Sequence, residues 1–525
     1  MLTPFLNRLI YHNKSLRVLV KFKIKGLGLD QQIRNGYINP VQIDKTEVDM
    51  AREYSMLIGG KWLKSQESLD VANKFSGELI GTVPVADKKS YEQAVESAQD
   101  AFDVISTLPA YKRSQILQKT SELIDQQKDE VAKIIAAEAG KPMKFSRGEV
   151  ARAIQTFKFA SEEAKSIHGE TVPMDASVGG EKRIGFYLRF PVGVIGAISP
   201  FNFPLNLVAH KVAPAIASGC SVILKPASLT PLTSLKLGEI MMEAGLPDGA
   251  LNVIIGSGST VGDWLVSDER LSMITFTGSP LVGRRIKERS GLKKVTLELG
   301  NNSACIVDKD ADLDLAIPRC IVGSFAYSGQ VCISVQRIYL HEDIFDEFST
   351  RFLEQTRKLK IGDPLDEETD IGPMITEADA IRTQEWIDEA KNEGAKTLIG
   401  GKREGALYYP TVITDVKPEM KVVRLEAFAP VVCLTEFQDF SDAVKMTDDS
   451  IYGLQAGVFT KDIHRAFQAV KGIKVGGVII NDVPTYRADQ MPYGGVKESG
   501  IGREGLKFAV EEMTDIRMVV INLKE

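Results

Sequence analysis

From residue 191 the chain reads Pro191-Val192-Gly193-Val194-Ile195-Gly196-Ala197-Ile198-Ser199, an uncharged and mostly apolar run of the length of one strand. Similar short apolar runs return at residues 221–224, 251–255 and 273–277. Stretches with helical periodicity lie between these runs. Strands that are apolar on both faces and alternate with helices are typical of a parallel sheet that is covered on both sides. The pattern therefore predicts an α/β fold with a doubly wound, Rossmann-type sheet.

A second set of apolar runs follows at residues 336–340, 431–435 and 477–480. It predicts a further α/β domain. Helical periodicity precedes both sets at residues 91–106, 112–139 and 146–167. No repeat and no low-complexity linker separates the two sets, so we expect the domains to interleave. Residues 183–189 and 516–523 are β-like but have few partners nearby in the sequence, which favours pairing with another subunit.

The composition narrows the class of protein. The 525 residues are 44% hydrophobic and 26% charged, as in ordinary soluble globular proteins, and the net charge of -6 argues against a nucleic-acid partner. No run of about 20 apolar residues is present, so no membrane-spanning segment is expected. Five cysteines without CxxC spacing and five scattered histidines argue against disulfides and against a metal site. These features favour a reducing, cytoplasmic location.

The first 49 residues differ from the rest of the chain. Residues 1–29 contain six Lys or Arg residues and no acid, whereas globular patterning begins near Met56. The segment fits neither a secretory signal nor a transit peptide well. We interpret residues 1–49 as translated upstream sequence, with Met50 as the natural start. A real but disordered basic arm is the alternative.

Among the cysteines, Cys332 has the most informative context, Ser328-Gly329-Gln330-Val331-Cys332. It follows a helical stretch and precedes a strand, so it is expected on a loop between rigid elements. A thiol in such a place can attack a carbonyl if the site favours the thiolate. Taken alone, a cysteine is more often a small buried hydrophobic residue.

A second candidate is the segment Thr275-Phe276-Thr277-Gly278-Ser279-Pro280. A strand runs into Gly278, Ser279 suits a helix N-cap, and Pro280 suits the first helical position. Backbone N–H groups at such a helix start can bind a pyrophosphate, although many helices begin this way without binding anything. The run Gly256-Ser257-Gly258 with Gly262 is one residue off the dinucleotide fingerprint and is equally weak alone.

Several short motifs occur together and in order: Ser199-Pro200-Phe201-Asn202-Phe203-Pro204, Leu224-Lys225-Pro226-Ala227-Ser228, Phe276-Thr277-Gly278-Ser279 with Gly283, Leu297-Glu298-Leu299-Gly300, Gly329-Gln330-Val331-Cys332, Glu426-Ala427-Phe428-Ala429-Pro430 and Met491-Pro492-Tyr493-Gly494-Gly495-Val496-Lys497-Glu498-Ser499-Gly500. This set resembles the signature motifs of the aldehyde dehydrogenase superfamily, from about Met56 to the C-terminus. The branch that it most resembles acts on lactaldehyde and on glyceraldehyde 3-phosphate without phosphorylation.

The resemblance implies a non-acylating enzyme that oxidises an aldehyde to an acid with NAD or NADP. Cys332 would be the nucleophile that forms a hemithioacetal and then a thioester. The side-chain amide of Asn202, with the backbone N–H of Cys332, would hold the oxyanion. Glu298 would be the general base that activates water for hydrolysis.

The resemblance also implies coenzyme contacts and a domain plan. Lys225 would bind the adenosine ribose, Gly278 and Ser279 the pyrophosphate, and Glu426 the nicotinamide ribose with Phe428 packed nearby. Ser228 stands where many NAD-preferring relatives carry a glutamate, so NADP is expected to be tolerated. The expected domains are a coenzyme-binding domain at 50–181 and 199–300, a catalytic domain at 301–505, and small β oligomerisation strands at 182–198 and 506–525. A homodimer or homotetramer is implied.

Other points depart from the family pattern or stay open. Asn301 replaces the second glycine of the usual Glu-Leu-Gly-Gly, and asparagine tolerates left-handed backbone angles. Arg487 is a candidate to bind a polar or anionic end of the substrate, and an interdomain salt bridge is the alternative. His210 stands where succinate-semialdehyde relatives often carry Arg, which favours a small oxygenated aldehyde. A coenzyme-A-acylating enzyme and a non-catalytic binding protein of the same fold remain alternatives.

Overall fold

The computed structural model describes residues 52–523, and the interpretation of residues 1–49 lies outside them. A sheet of eight strands, named sheet I, forms the first layer of this part of the chain. Its strands, from edge to edge, are Gly500–Ile501, Lys294–Glu298, Met273–Thr277, Val194–Ile198, Ser221–Lys225, Leu251–Val253, Met56–Ile58 and Lys61–Leu63. The five strands between Lys294–Glu298 and Leu251–Val253 are parallel, and the three remaining strands are antiparallel to their neighbours. The predicted doubly wound sheet is therefore present.

The strand order of sheet I reverses beside Val194–Ile198. The next two parallel strands along the chain lie on one side of it, and Met273–Thr277 and Lys294–Glu298 lie on the other. In open α/β sheets such a reversal leaves a crevice at the carboxyl ends of the strands, where ligands bind. The segments that follow these carboxyl ends begin at Ser199, Pro226, Gly278 and Leu299, and each of these residues lies in one of the predicted coenzyme and catalytic motifs.

The helices that connect the parallel strands of sheet I are Asn206–Ser218, Leu232–Glu243, Asp263–Ser267 and Pro280–Arg289. The helices that precede these parallel strands in the chain are Lys88–Ile105, Ala110–Gln126, Lys128–Ala139 and Met143–Glu163. The single helix expected over residues 112–139 is two, because the backbone leaves the helical region at Gln127 (φ -109°, ψ 15°). No helix within residues 52–523 combines the length and the apolar composition that are needed to cross a bilayer.

Helix Asn206–Ser218 is buried along its whole length. It ends at Gly219, whose φ of +88° is the left-handed conformation that glycine adopts most readily at a helix end. At its start, the Glu149 carboxylate accepts hydrogen bonds from the backbone N–H groups of Leu205 and Asn206, at 2.8 and 3.0 Å. Glu149 is itself paired with the buried ammonium of Lys141. This buried cap fixes the loop 199–205 that precedes the helix.

A second sheet of seven strands, named sheet II, lies in the remaining part of the described chain. Its strands, from edge to edge, are Lys396–Ile399, Thr411–Thr414, Val431–Phe437, Val335–His341, Ser303–Val307, Gln455–Phe459 and Gly477–Ile480. Strand Lys396–Ile399 is antiparallel to its neighbour, and the other six strands are parallel to one another. Its accompanying helices are Leu313–Phe325, Phe345–Thr356, Glu377–Asn392, Lys421–Arg424, Phe440–Asp448 and Ile463–Gly472. The predicted second α/β domain is therefore present.

A three-stranded antiparallel sheet, named the arm sheet, consists of Thr514–Asn522, Arg183–Pro191 and Thr171–Val172. The two long strands pair with each other over their full length, from Arg183 opposite Asn522 to Pro191 opposite Thr514. The two segments are therefore each other's partners within the chain, and their pairing with another subunit stays a prediction. They lie far apart in the sequence, which is why neither showed a partner nearby.

Some expected domain boundaries also differ from the structure. Strand Val194–Ile198 belongs to the middle of sheet I, although residues 182–198 were expected to be oligomerisation strands. Within residues 506–525 the structure has a helix, Leu506–Glu512, before the arm strand. Strand Gly500–Ile501 pairs with Lys294–Glu298, so the end of the expected catalytic domain returns to sheet I. The remaining short strands are Arg52–Glu53, Ser68–Ala72, Leu79–Pro84, Arg403–Glu404 and Leu407–Tyr408.

Candidate active site

Cys332 lies in the short turn between helix Leu313–Phe325 with its 3-10 extension Ala326–Gly329 and strand Val335–His341 of sheet II. This is the loop between rigid elements that the sequence predicts. Among the five cysteines, all within residues 52–523, Cys332 is partly exposed and the other four are buried. The partly exposed cysteine is therefore the one that the motif singles out.

The chain reaches Cys332 through a strained turn. Tyr327, Ser328 and Gly329 all have left-handed backbone angles, with φ of 50°, 54° and 67°. A Cβ at Gly329 would lie 2.0 Å from the carbonyl oxygen of Ala429, so glycine is required there. The Tyr327 hydroxyl donates to the Ala139 carbonyl at 2.8 Å, and these contacts hold the turn in place. Strain of this kind persists where the surroundings over-determine a functional loop.

Asn202 comes from the loop after strand Val194–Ile198, in the crevice of sheet I. Its side chain is 3% exposed, and its Nδ2 donates a hydrogen bond to the Gln330 carbonyl at 3.0 Å. Gln330 lies two residues before Cys332, so the structure brings the predicted oxyanion donor to the loop that carries the thiol. The fixed amide is pre-organised to stabilise negative charge there.

Glu298 ends strand Lys294–Glu298 and is 3% exposed. Neither of its carboxylate oxygens has a hydrogen-bond partner within the described residues. Burial and the nearby charge of Glu504 raise the pKa of Glu298 well above its usual value, against the opposing attraction of Arg487. A carboxyl group that is buried without partners and has a raised pKa is suited to proton transfer near neutral or alkaline pH.

A buried cluster of charges lies behind Glu298. The Lys211 ammonium is 3.0 Å from one oxygen of Glu504, and the Arg487 guanidinium is 2.9 Å from the other. Burial alone would raise the pKa of Glu504, but Lys211 and Arg487 together hold it well below the usual value. Lys211 also donates to the Thr277 hydroxyl at 2.7 Å. The cluster therefore connects sheet I to the segment 487–504.

Tyr493 contacts the sulfur of Cys332 directly. Its hydroxyl oxygen lies 3.1 Å from Cys332 Sγ, and the Arg487 guanidinium lies 3.7 Å from the centre of its ring. Burial raises the pKa of Cys332 to about 11, while Tyr493 and Arg487 lower it. In this ligand-free geometry the thiol is therefore protonated at neutral pH, and Tyr493 and Arg487 favour its ionisation.

The structure does not bring His210 to a surface that a substrate could reach. The ring is 2% exposed, and its Nε2 is 2.9 Å from the carboxylate of Asp489. That carboxylate also accepts from Arg152 at 2.7 Å and from the Asn206 amide at 3.1 Å. Burial and the nearby charge of Arg487 lower the pKa of His210, so the ring is neutral. In this structure His210 contacts Asp489 and holds the segment around it. This contact was not predicted; the predicted contact was with a substrate.

Arg487 is likewise engaged inside the protein. Its side chain is 4% exposed and is shared between Glu504 and the ring of Tyr493. The alternative considered for Arg487, an interdomain salt bridge, describes this geometry, because Glu504 also binds Lys211 of sheet I's connecting helix. The Arg487 Nε has no hydrogen-bond partner within the described residues, and a contact of Arg487 with the substrate stays a prediction.

The predicted coenzyme residues line the carboxyl edge of sheet I. Lys225 ends strand Ser221–Lys225, is 5% exposed, and donates to its neighbouring Pro226 carbonyl at 3.2 Å. Burial lowers the pKa of Lys225 to about 8. A buried ammonium with a single weak acceptor has N–H groups left for the hydroxyls of a ribose. Ser228 donates to the Gly256 carbonyl at 2.9 Å and brings no charge to this region.

Ser279 is the N-cap of helix Pro280–Arg289, as predicted, and makes no capping hydrogen bond with its side chain. Its hydroxyl is therefore free for a ligand at the positive end of the helix dipole. Gly278 precedes it, and a Cβ there would lie 2.5 Å from the ring of Phe276. The strand-to-helix turn thus has the composition and the capping geometry that suit a pyrophosphate.

Glu426 lies against the turn that follows Glu298. One carboxylate oxygen accepts from the Asn301 backbone N–H at 2.8 Å, and the other would be 2.3 Å from a Cβ at Gly300. Burial raises the pKa of Glu426 to about 7. Phe428 adopts a left-handed backbone angle (φ 49°) and packs edge-on against Phe201, with 5.8 Å between ring centres. The contact of Glu426 and Phe428 with the nicotinamide ribose stays a prediction.

Asn301 has a structural explanation that differs from the expected one. It is not among the residues with left-handed angles, so the tolerance of asparagine for that region is not used. Its side chain is 2% exposed, donates to the Ser303 hydroxyl at 2.5 Å and accepts from the Leu454 backbone N–H at 3.4 Å. Asn301 therefore joins two strands of sheet II by side-chain hydrogen bonds.

Sequence reasoning did not assign functions to Tyr493, Lys211 and Glu504. Lys211 carries a signal in hindsight, because it is a lysine within a helix, Asn206–Ser218, that is mostly apolar. Glu504 and Tyr493 lie in a glycine-rich tail, where no periodicity distinguishes a buried side chain from an exposed one.

Comparison with known proteins agrees with the fold and identifies a family. The model of the aldehyde dehydrogenase family matches residues 62–519. A 3-sulfolactaldehyde dehydrogenase of Priestia megaterium is 48% identical over 478 residues, which cover 91% of this chain and 100% of that relative. A lactaldehyde dehydrogenase of Methanocaldococcus jannaschii is 42% identical over 471 residues, which cover 89% and 100%.

Solved structures give the same result. Aldehyde dehydrogenase 21 from Physcomitrella patens, in complex with its product succinate, superposes with a TM-score of 0.88 at 44% identity, covering 90% of this chain and 98% of that one. Glyceraldehyde-3-phosphate dehydrogenase GapN from Methanocaldococcus jannaschii, in complex with NADP, has a TM-score of 0.84 at 42% identity, covering 87% and 100%. The chain therefore belongs to the aldehyde dehydrogenase family. The predicted class, an oxidoreductase that acts on aldehydes with NAD or NADP, is confirmed.

Proposed function

We propose that this enzyme oxidises a small oxygenated aldehyde of the lactaldehyde or 3-sulfolactaldehyde type to its carboxylic acid, through a thioester on Cys332. The observation that carries the proposal is the hydrogen bond from Asn202 to the Gln330 carbonyl, two residues before the accessible thiol of Cys332. It joins an oxyanion donor and a nucleophile from two different sheets. Two relatives that this chain matches over their whole length support the substrate class. They are named for 3-sulfolactaldehyde and lactaldehyde, which are hydroxylated three-carbon aldehydes.

In the first half-reaction the Cys332 thiolate attacks the aldehyde carbonyl and the developing oxyanion is held by Asn202 and the backbone N–H of Cys332. The fixed position of the Asn202 amide supports this role, because a donor that is already oriented costs no reorganisation when charge develops. NAD or NADP, when bound, supplies the hydride acceptor. The protein itself holds the nucleophile and the oxyanion donors in the relative positions that the reaction needs.

In the second half-reaction Glu298 takes a proton from the water that attacks the thioester. Its unpartnered oxygens and raised pKa support this role, since a carboxylate of higher pKa is a stronger base. The presence of Glu298 also favours hydrolysis over transfer to coenzyme A. Product analysis with and without coenzyme A tests this point, because an acylating enzyme would form an acyl-coenzyme A thioester.

For the coenzyme we propose that Lys225 binds the adenosine ribose, Gly278 and Ser279 the pyrophosphate, and Glu426 with Phe428 the nicotinamide ribose. Two observations support these assignments. The Lys225 ammonium donates to one carbonyl, that of Pro226, and the Ser279 side chain makes no capping hydrogen bond. We further propose that both NAD and NADP are used. The neutral Ser228 supports this, because a glutamate in its place would repel a 2′-phosphate.

Experiment has to identify the aldehyde, because relatives that are equally similar in sequence to this chain are named for different substrates. The lactaldehyde dehydrogenase and the glyceraldehyde-3-phosphate dehydrogenase of one organism are both 42% identical to this chain. The test is reduction of NAD or NADP with 3-sulfolactaldehyde, lactaldehyde, glyceraldehyde 3-phosphate, succinate semialdehyde and propanal, with Cys332→Ala as control. Highest kcat/KM for the first two supports the proposal, and a preference for propanal or succinate semialdehyde contradicts it.

We also propose that the enzyme is a cytoplasmic homodimer or homotetramer and that the arm sheet contributes to its interface. Apolar side chains of strand Thr514–Asn522 alternate toward solvent, with Ile516 58%, Met518 43% and Val520 48% exposed. Contiguous apolar surface of this kind favours association. Ile516→Lys with Met518→Lys should lower the mass measured by light scattering, and an unchanged mass would remove the arm sheet from the interface.

A further inference from the structure

We propose that Tyr493 is an additional catalytic residue, whose hydroxyl donates a hydrogen bond to the sulfur of Cys332 whenever that sulfur carries negative charge. The proposal rests on the assignment of Cys332 as the nucleophile. It concerns a side chain to which neither the sequence motifs nor the comparisons assign a function. Its basis is the 3.1 Å distance between the Tyr493 hydroxyl oxygen and Cys332 Sγ.

The direction of this hydrogen bond follows from the chemistry of the two groups. A thiolate has no proton to donate, so the phenol is the donor once Cys332 is ionised. Burial and the neighbouring Cys332 raise the pKa of Tyr493 well above its usual value, against the opposing effect of Arg487. The hydroxyl therefore keeps its proton throughout the pH range in which an enzyme works.

Arg487 strengthens Tyr493 as a donor. Its guanidinium lies 3.7 Å from the ring centre, where a cation draws electron density from the phenol and makes its O–H more acidic. The guanidinium is fixed there by Glu504, which Lys211 holds in turn. Arg487 is thus a positioning residue that acts on Cys332 through Tyr493, in addition to its direct charge.

The charges that face Cys332 from other elements oppose each other. Glu298 from sheet I and Glu426 from the segment before strand Val431–Phe437 raise the pKa of the thiol, as does burial. Arg487 and the Tyr493 hydroxyl lower it. The phenol is the only one of these groups that the structure places in hydrogen-bond contact with Sγ within the described residues.

The sulfur carries negative charge twice in the proposed reaction. It does so first when the thiol has lost its proton to solvent water and the thiolate attacks the carbonyl. It does so again when the tetrahedral adduct of water and thioester collapses, since the C–S bond breaks with its electron pair on sulfur and the acid carbonyl re-forms. In neither step is the O–H bond of Tyr493 broken, because the phenol only shares its proton. Both half-reactions should therefore slow when the hydroxyl is removed.

The test is the pH dependence of alkylation of Cys332 by iodoacetamide in the full-length enzyme, comparing wild type with Tyr493→Phe. The phenylalanine keeps the ring on which Arg487 stacks and removes only the hydroxyl. A hydrogen bond to a charged group is worth enough to raise the alkylation midpoint by about one pH unit when it is lost. Tyr408→Phe is the matched control, because Tyr408 is fully buried in a separate cluster of apolar side chains with Ile387 and Ile413.

The outcomes separate this inference from the proposed function. A raised midpoint in Tyr493→Phe, with Tyr408→Phe unchanged and thermal midpoints of both variants similar, supports the inference. An unchanged midpoint in a folded Tyr493→Phe overturns it, while the proposed function stands if Cys332→Ala still abolishes both alkylation and turnover. Fast alkylation or turnover that persists in Cys332→Ala overturns the proposed function itself, and this inference with it.

The part played by Arg487 is tested by a double-mutant cycle on the same readout. Arg487→Lys keeps the charge but loses the planar stack on the ring. If Arg487 acts through the phenol, its substitution shifts the alkylation midpoint in the wild-type background and not in Tyr493→Phe. Equal shifts in both backgrounds would show that the effect of Arg487 on the thiol does not depend on the Tyr493 hydroxyl, which contradicts the positioning role.

Discussion

The Asn202 side-chain amide donates a hydrogen bond to the backbone carbonyl of Gln330 across 3.0 Å, although the two residues are 128 positions apart in the sequence. This contact joins the crevice of sheet I to the turn that precedes strand Val335–His341 of sheet II. The loop of Asn202 is fixed by the buried Glu149 cap, and the turn before Cys332 is fixed by the close approach of Gly329 to Ala429. The position of the oxyanion donor relative to the thiol is thus set by two rigid supports.

Asn202→Ala should slow acylation about a hundredfold, because loss of one oxyanion donor costs on the order of 3 kcal/mol in the transition state. The measurement is the rate of the first turnover by stopped-flow absorbance of the reduced coenzyme. Coenzyme affinity should stay close to that of the wild type. Near-normal first-turnover rates would refute the assignment of Asn202.

The rate of acylation should rise with pH. The active form of Cys332 is the thiolate, and burial raises the pKa of the thiol to about 11 in the ligand-free enzyme, so the ionised fraction grows as pH increases. We expect kcat/KM for the aldehyde to rise continuously from pH 6 to pH 9, at up to about tenfold per unit for one ionisation. The first-turnover rate of Glu298→Gln should rise with pH in the same way, because Glu298 acts after hydride transfer. A profile that is flat from pH 6 upward would contradict this account.

Ser228→Glu should shift the enzyme toward NAD. The new carboxylate would stand near the adenosine ribose and repel a 2′-phosphate, which lowers kcat/KM for NADP on the order of tenfold or more. Ser228→Gln is the matched control, since it adds the same volume without the charge. Equal losses for NADP in both variants would indicate a steric effect and remove the electrostatic explanation.

Arg487→Ala should destabilise the protein more than it changes substrate selection. Removal of one partner from a buried ion pair costs about 3 to 5 kcal/mol, because the other charge is left without compensation, and Lys211 can offset only part of that cost here. Chemical denaturation measures this loss. KM should change by similar factors for 3-sulfolactaldehyde and propanal. A rise in KM for the anionic aldehyde alone, with unchanged stability, would restore Arg487 as a substrate ligand.

The parts of the fold that sequence predicts well are those in which local pattern and burial agree. Strand Met273–Thr277 has the predicted bounds, and strand Gly477–Ile480 does as well. Both are short apolar runs between clear helical or turn signals. The helix expected over residues 112–139 is broken at Gln127, which periodicity does not reveal because both halves bury the same kind of face.

The site is predicted only where a short motif holds the functional residue. The positions of Cys332, Asn202 and Glu298 follow from such motifs and from the carboxyl edge of a parallel sheet. The pairing of Lys211 with Glu504 joins residues 293 positions apart, and nothing local in either segment specifies the other. Arg487 was expected to face a substrate because its charge suits an anion, and His210 because of its position in the motif set. Their actual partners, Asp489 and Glu504, are acids that the tertiary structure brings to them.

The most direct test of the central claim is to trap the intermediate on Cys332. Glu298→Gln should still form reduced coenzyme in a burst of one equivalent per active site, and then stall, because hydrolysis lacks its base. Acid quenching followed by intact-mass and peptide analysis, with lactaldehyde as substrate, should show one acyl group on the peptide that contains Cys332. No adduct, an adduct on another residue, or full steady-state turnover in Glu298→Gln would contradict the proposed mechanism.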